Sequence, residues 1–382
     1  YVSGDYLVPI YNGELRTDKP PLHYYFMSAG YAIFGTNAVG ARFFSSLFAV
    51  LTVLMTFLFT RKYFGDKAAI YSSLVLISSL HFNLQMHMSV PDPYLIFILT
   101  WAFFSFYEAY KSKSKWALIQ FYFAIGCGLL TKGPIALALP GIAALAFLLI
   151  NKDFKWKTIW RLQPFLGVLF SILVALPWYY QVHLATDGLW TEDFFFKHNL
   201  SRFSDAMEGH QGIFLLTFAF VFILGFLGVL PFVFQSVKRT FKKPNNEAQL
   251  WLMLVVSVIV LFFAFSSTKL PNYTTPSYPI IAILVGIYLS NINNEWFNNS
   301  WNRIGLIIYS IFLLIFPIGI YFGLKADPLL AGEANVAFYF ITLSIVGILG
   351  LYSVIKRNLD FGVKSILTGW LVMIVLFFHF AY

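Results

Sequence analysis

The chain has 382 residues, 59% hydrophobic and only 11% charged, whereas about 25% charged is usual in soluble domains. Its apolar runs repeatedly approach the ~20 residues that cross a bilayer, and the backbone inside lipid must bond to itself, so an all-α polytopic helix bundle is expected rather than a set of soluble domains. The formal charge of +9 does not point to nucleic acid, because the basic residues cluster in short loops between apolar runs. The single cysteine, Cys127, excludes an intrachain disulfide and reads as a small packing residue in the run from Ile125 to Leu130.

In chain order, residues 1–22 are polar and broken by Gly4, Pro9, Gly13 and the pair Pro20-Pro21, which suits an extramembrane or surface-lying segment. Residues 23–42 are aromatic and interrupted by Gly30, Gly35 and Gly40, a pattern of interfacial helices. The first span is Phe43 to Thr60. Eleven more are expected at 68–82, 93–110, 116–131, 134–150, 163–182, 212–236, 249–266, 276–290, 303–324, 337–355 and 364–381, about 12 in all. The chain opens at Tyr1 and its first methionine is Met27, so a further helix is expected ahead of it.

Alternating the crossings divides the 26 basic residues into eighteen on one face and seven on the other, with Arg42 set aside as intramembrane or interfacial. The richer face should be cytoplasmic. The other face gathers the unusual polar elements, so a site is expected there, with juxtamembrane helices around it.

Five stretches hold candidate chemistry. In Arg16-Thr17-Asp18-Lys19-Pro20-Pro21-Leu22, the prolines keep Lys19 out of a helix and set a carboxylate and an ammonium at the edge of an aromatic run. A charged turn that snorkels to the interface explains the same residues. Asp92, between Pro91 and Pro93, reads first as the N-cap of the span that follows, and as functional if it shares a cavity with Lys19. His81 and His87, six apart, make a weak metal signature. Lys132, before Gly133 and Pro134, is either snorkelling or presented by a tight turn.

The loop 183–211 is the longest polar connection. Within it, Asp193 to Phe203 reads as an amphipathic helix lying on the membrane, with His198 and Arg202 four apart on one face. That face suits an anionic head group, because a guanidinium offers a fork of donors to phosphate oxygens, although a plain interfacial helix has the same composition. Ser266 to Tyr273 is a Ser/Thr-rich break followed by Pro276 and Pro279, and broken helices line cavities rather than lipid. Lys269 and Tyr273 then supply a cation and a phenol. A short external loop is the plainer alternative.

Taken together, Gly4-Asp5-Tyr6-Leu7-Val8-Pro9, Asp18-Lys19-Pro20-Pro21-Leu22, Gly40-Ala41-Arg42, Asp92, Leu130-Thr131-Lys132-Gly133-Pro134, His198-Asn199-Leu200-Ser201-Arg202-Phe203 and Lys269-Leu270-Pro271-Asn272-Tyr273 with Pro276 give the chain its likeness. It resembles the lipid-linked glycosyltransferases of the protein mannosyltransferase and aminoarabinose transferase type, the multi-spanning GT-C class. The motifs stand in the family's order from residue 1 to about 290, so 1–290 is expected to be the catalytic region and 291–382 to add C-terminal spans. The family has thirteen spans, which twelve here and one ahead of Tyr1 would match.

The resemblance implies an inverting sugar transfer from a polyprenyl-phosphate donor to a lipid, glycan or protein hydroxyl, in the outward face of a bacterial plasma membrane. It places Lys19, Arg202 and Tyr273 near the donor phosphate, and Lys132 and Lys269 suit the same role, where negative charge grows on the leaving group. Asp92 and Asp18 are the candidate catalytic carboxylates. The family's main Asp-Glu pair lies upstream of its Gly-Asp motif and is absent from this sequence. Asp18 with His198 is the pair offered for a divalent metal. Two rival functions predict other features: an isoprenoid-lipid transporter or flippase needs charges at mid-membrane, and an envelope-assembly subunit turns over nothing.

Overall fold

The computed structural model of the protein describes residues 4–201 and 212–380, and they are overwhelmingly helical. The first elements are a small hairpin, β1 (Ile10–Tyr11) with β2 (Glu14–Leu15), then α1 (Leu22–Phe34), α2 (Ala38–Phe64), α3 (Asp66–Ile77), α4 (Leu80–Met86) and α5 (Asp92–Ser112). They are followed by α6 (Lys115–Lys132), α7 (Ile135–Ile150), α8 (Trp156–Leu162), α9 (Pro164–Ala185) and α10 (Leu189–Glu192). α10 runs on as a π-helical stretch, Asp193–Ser201. Later helices include Glu247–Phe265, Tyr278–Asn291, Ser300–Ala326, Ile341–Lys356 and Leu359–Phe380.

A helix stands at each of the twelve positions expected from the sequence. Among the described residues six helices are long and apolar enough to cross a membrane by length and composition, or seven if the broken pair Phe214–Gly225 and Leu227–Lys242 counts as one. The chain is therefore a multi-pass helical membrane protein. Several of the remaining helices are short. The 14 residues of Tyr278–Asn291 reach only about 21 Å at 1.5 Å per residue, less than the ~30 Å hydrocarbon core.

The aromatic stretch after His23 differs from its expected reading in one respect. Only Gly35 breaks the helix, at φ 83°, between α1 and α2. Gly30 and Gly40 lie inside the two helices, where a Cβ on either would strike the other's backbone. They are points of close approach, not interruptions. The first hairpin was also unforeseen: Asn12 and Gly13 both have positive φ, the pair that a two-residue type I′ turn selects.

The chain divides into two compact units, one of residues 1–59, 84–221 and 240–281 and the other of 60–83, 222–239 and 282–382. In the second, a buried relay fixes the interior: Trp370 Nε1 donates to Tyr309 Oη at 2.9 Å, which donates to the carbonyl of Gly228 at 3.0 Å. The first unit holds every described candidate residue except His81. In it α5 packs on α6, and α6 on α9.

The polar N-terminal segment would have little to hold it without the aromatic cluster of Trp178, Val182, Trp190 and Phe194. Leu7, Val8 and Leu15 pack on that cluster, Trp178 Nε1 donates to the carbonyl of Leu7 at 3.1 Å, and Trp190 Nε1 donates to that of Arg16 at 2.9 Å. Thr17 Oγ1 donates to Asp193 Oδ2 at 3.2 Å. Two indoles thus supply both apolar area and the donors that an irregular backbone lacks. Trp190→Ala should cost about 3–5 kcal/mol and leave the Arg16 carbonyl unpaired. Thermal unfolding of the purified protein should fall accordingly, and limited proteolysis should cut first before residue 22.

Candidate functional site

Lys132 is the last residue of α6, and Gly133 at φ 77° ends that helix. A Cβ on Gly133 would enter the ring of Phe194, so the turn closes tightly and the lysine is directed inward. Its Nζ meets Asp92 Oδ1 at 2.6 Å. Asp92 opens α5 but makes no capping bond, because its second oxygen accepts from Asn272 Nδ2 at 3.0 Å. The expected N-cap role is therefore not what the carboxylate does. At 7% exposure it is a buried anion balanced by one cation and one amide.

Asn272 and Tyr273 belong to a 3₁₀ turn, Pro271–Ser277, at the expected break. The turn is locked by hydroxyls bonding back three residues: Thr274 to the Pro271 carbonyl at 3.2 Å, Thr275 to Asn272 at 2.6 Å and Ser277 to Thr274 at 2.7 Å. Lys132 Nζ lies 5.1 Å from the Tyr273 ring centre, a cation–π contact.

The Asp18-Lys19 corner is self-paired. Arg16 Nε donates to Asp18 Oδ1 at 2.8 Å, and Lys19 Nζ lies 3.5 Å from Oδ2 while donating to the Asp18 carbonyl at 2.8 Å. Burial tends to raise the Asp18 pKa, but the Arg16 hydrogen bond and the Lys19 charge outweigh it, so the carboxyl stays below its ordinary value. Behind it, burial first and then the charges of Arg16 and Lys19 push buried His23 down to about 3, so it adds no charge.

These pieces converge. One cavity of about 370 Å³ is lined by Asp18, Lys19, Lys132, His198 and Tyr273, and by an apolar wall that includes Leu95, Ile135, Leu139, Phe194, Phe262 and Phe263. Asp92 stands behind Lys132 rather than on the wall. Lys269 is not on the wall either: its ammonium donates to the carbonyls of Phe263 at 3.1 Å, Ala264 at 2.8 Å and Ser266, closing the end of helix Glu247–Phe265. Helix is present from Asp193 to Ser201 as expected, and Arg202 lies outside the described residues. Asn272 is the member that sequence reasoning missed. Its signal was its place beside Tyr273 in a proline-flanked turn.

For a divalent metal the donor set is thin. Among the described residues no group of three or more His, Cys, Asp or Glu side chains is gathered for an ion, and this covers His81 and His87. Asp18 has both oxygens engaged by cations, Arg16 on Oδ1 and Lys19 on Oδ2.

With this geometry the comparisons with known proteins agree. Residues 18–180 match the sequence profile of the dolichyl-phosphate-mannose-protein mannosyltransferases. An uncharacterized protein of Aquifex aeolicus is 30% identical over 76% of this chain and 56% of its own length. The undecaprenyl phosphate-alpha-4-amino-4-deoxy-L-arabinose arabinosyl transferase 2 of Pseudomonas fluorescens is 30% identical over 76% of this chain and 53% of its own, and a Pseudomonas aeruginosa counterpart 31% over 75% and 52%. The chain thus spans about half the length of these transferases. The crystal structure of ArnT from Cupriavidus metallidurans bound to undecaprenyl phosphate covers 98% of the chain at TM-score 0.81 and 22% identity, with 70% of that structure matched. The chain therefore has the fold of ArnT and is similar in sequence to the aminoarabinose transferases over about half of their length.

Two predictions test the site. Lys132→Met strands the buried Asp92 charge and should cost about 3–5 kcal/mol, most of it regained with Asp92→Asn in the same chain, read by thermal unfolding. Because the Asp18 pKa is lowered in the folded protein, its pairing stabilises at every pH above the ordinary value, about 3.9, and is lost as pH falls through the lower folded value. Stability against pH should therefore show no Asp18 contribution to its slope between pH 5 and 8, and Asp18→Asn should flatten the acid limb.

Proposed function

We propose that this chain forms the membrane core of a glycosyltransferase that moves a sugar from a polyprenyl phosphate to a lipid, glycan or protein hydroxyl. The observation that carries the reading is one cavity whose wall holds Lys19, Lys132 and the Tyr273 ring together with aliphatic and phenylalanine side chains. A phosphate with an isoprenoid tail calls for the same two kinds of contact. The transferases named above act on undecaprenyl phosphate donors by name, which supports the same class of donor here.

In the step proposed, the acceptor oxygen bonds to the anomeric carbon from the side opposite the phosphate, and the carbon–oxygen bond to phosphate breaks with its electrons going to that oxygen. Configuration inverts. Lys19 and Lys132 meet the growing negative charge, and Arg202, which the resemblance places near the donor phosphate, joins them. Asp18 and Asp92 hold these lysines in place. Both carboxylates are already engaged by cations, so the acceptor's proton is better taken by the Asp-Glu pair that the resemblance assigns to the family. Lys269 supports the site from behind through the helix end it closes. The excess of basic residues on one face argues for a site opening away from the cytoplasm, in a bacterial inner membrane.

Sugar transfer from a polyprenyl-phosphate donor by the full-length protein in lipid nanodiscs is the direct test. Lys19→Ala should lower kcat/KM about 100-fold, the scale for losing one charge-stabilising donor, and Arg202→Ala should lower it as well. Full activity in both variants would sink the assignment.

A further inference from the structure

The ion pair that presents Lys132 has a third member outside the cavity wall. Asp92 has two oxygens, and Lys132 takes only Oδ1. If Oδ2 had no donor, the buried carboxylate would be free to turn about its terminal torsion and carry the ammonium with it. Asn272 occupies Oδ2 at 3.0 Å from 180 positions along the chain. Its own backbone cannot yield easily, since Pro271, Pro276 and three hydroxyl back-bonds fix the turn. In a 3₁₀ turn consecutive side chains diverge by about 120°, so Asn272 reaches Asp92 while Tyr273 reaches the cavity and the Lys132 ammonium. Two neighbouring residues thereby grip one lysine, the first through a carboxylate and the second through its ring.

We propose that Asn272 is a positioning residue of the donor-phosphate site, holding the Asp92 carboxylate so that Lys132 is presented to the cavity. An amide suits this task. It donates without charge, so the pair stays neutral, whereas an acid would repel Asp92 and a base would compete with Lys132 for it. The proposal rests on the cavity being the seat of an isoprenoid phosphate.

A double-mutant cycle separates positioning from plain structural support, using undecaprenyl phosphate as the probe and the full-length protein in nanodiscs. Asn272→Ala should weaken binding about tenfold when Lys132 is present, and less than about twofold in a Lys132→Ala background, because it then has nothing to position. Equal losses in both backgrounds, or no loss in the first, would overturn the inference. Asn272→Asp is a second variant of nearly unchanged shape. It should bind poorly at pH 8 and recover towards pH 5, where one proton bridges the two carboxyls. The charged groups acting on Asp92 are Lys132 at 2.6 Å and, farther off, Lys19. A flat profile counts against the proposal.

Failure of the wild type to bind undecaprenyl phosphate would refute the donor-site reading and leave the positioning claim to a readout of its own. Acylation of lysines by an amine-reactive reagent, followed by mass spectrometry, should show Lys132 modified several times faster in Asn272→Ala while Lys19 is unchanged. Unaltered Lys132 labelling would reject the role of Asn272 whatever the ligand.

Discussion

The first unit depends on one buried charge being neutralised. Asp92 sits at the start of α5, at 7% exposure, with Lys132 at 2.6 Å and Asn272 at 3.0 Å. Each partner comes from a different part of the chain: the end of α6 and the turn at 271–277. Taking a carboxylate and an ammonium out of water is costly, and attraction repays it only if the geometry is good and the remaining lone pairs are satisfied. Both conditions hold here. An apolar pair would serve packing equally well, so the retention of charge is better explained by the use of Lys132 at the cavity than by stability.

The second cation arrives by other means. Lys19 lies in irregular backbone, which has no ladder to fix it, and two tryptophans supply the missing constraint through the carbonyls of Leu7 and Arg16. The same indoles pack against Phe194, whose ring abuts Gly133 next to Lys132. The aromatic cluster therefore joins the two lysine-bearing turns, and a change to it would reach both. Helix α9 carries Trp178 with Tyr179, whose hydroxyl donates to the Leu129 carbonyl of α6 at 2.9 Å. That bond ties the cluster to the helix that ends in Lys132.

Much of this could be read from the sequence, for identifiable reasons. Apolar period and length located the helices, because lipid leaves the backbone no other solution. Asp18, Lys19, Lys132 and Tyr273 stood out as polar or phenolic groups beside prolines and glycines in an apolar chain, and all four line one cavity. What could not be read is direction. Lys269 has the same setting as Lys132, yet it turns back onto its own helix end, a choice made by local carbonyls and not by composition. Asp92 looked like a cap because Pro91 and Pro93 flank it, and only the fold brings Asn272 and Lys132 to its oxygens. Asn12-Gly13 was legible and was passed over.

The placement of Lys269 carries a consequence for the cavity that it does not line. Helix Glu247–Phe265 points its carbonyl end, equivalent to roughly half a negative charge, at the region where Phe262, Phe263 and Ser266 form the wall. Left bare, that pole would set an opposing field across any anion seated against the wall. By folding its ammonium over three carbonyls, Lys269 cancels the pole at source. A side chain off the cavity wall thus works as electrical insulation, and because it is buried, salt would screen its effect little.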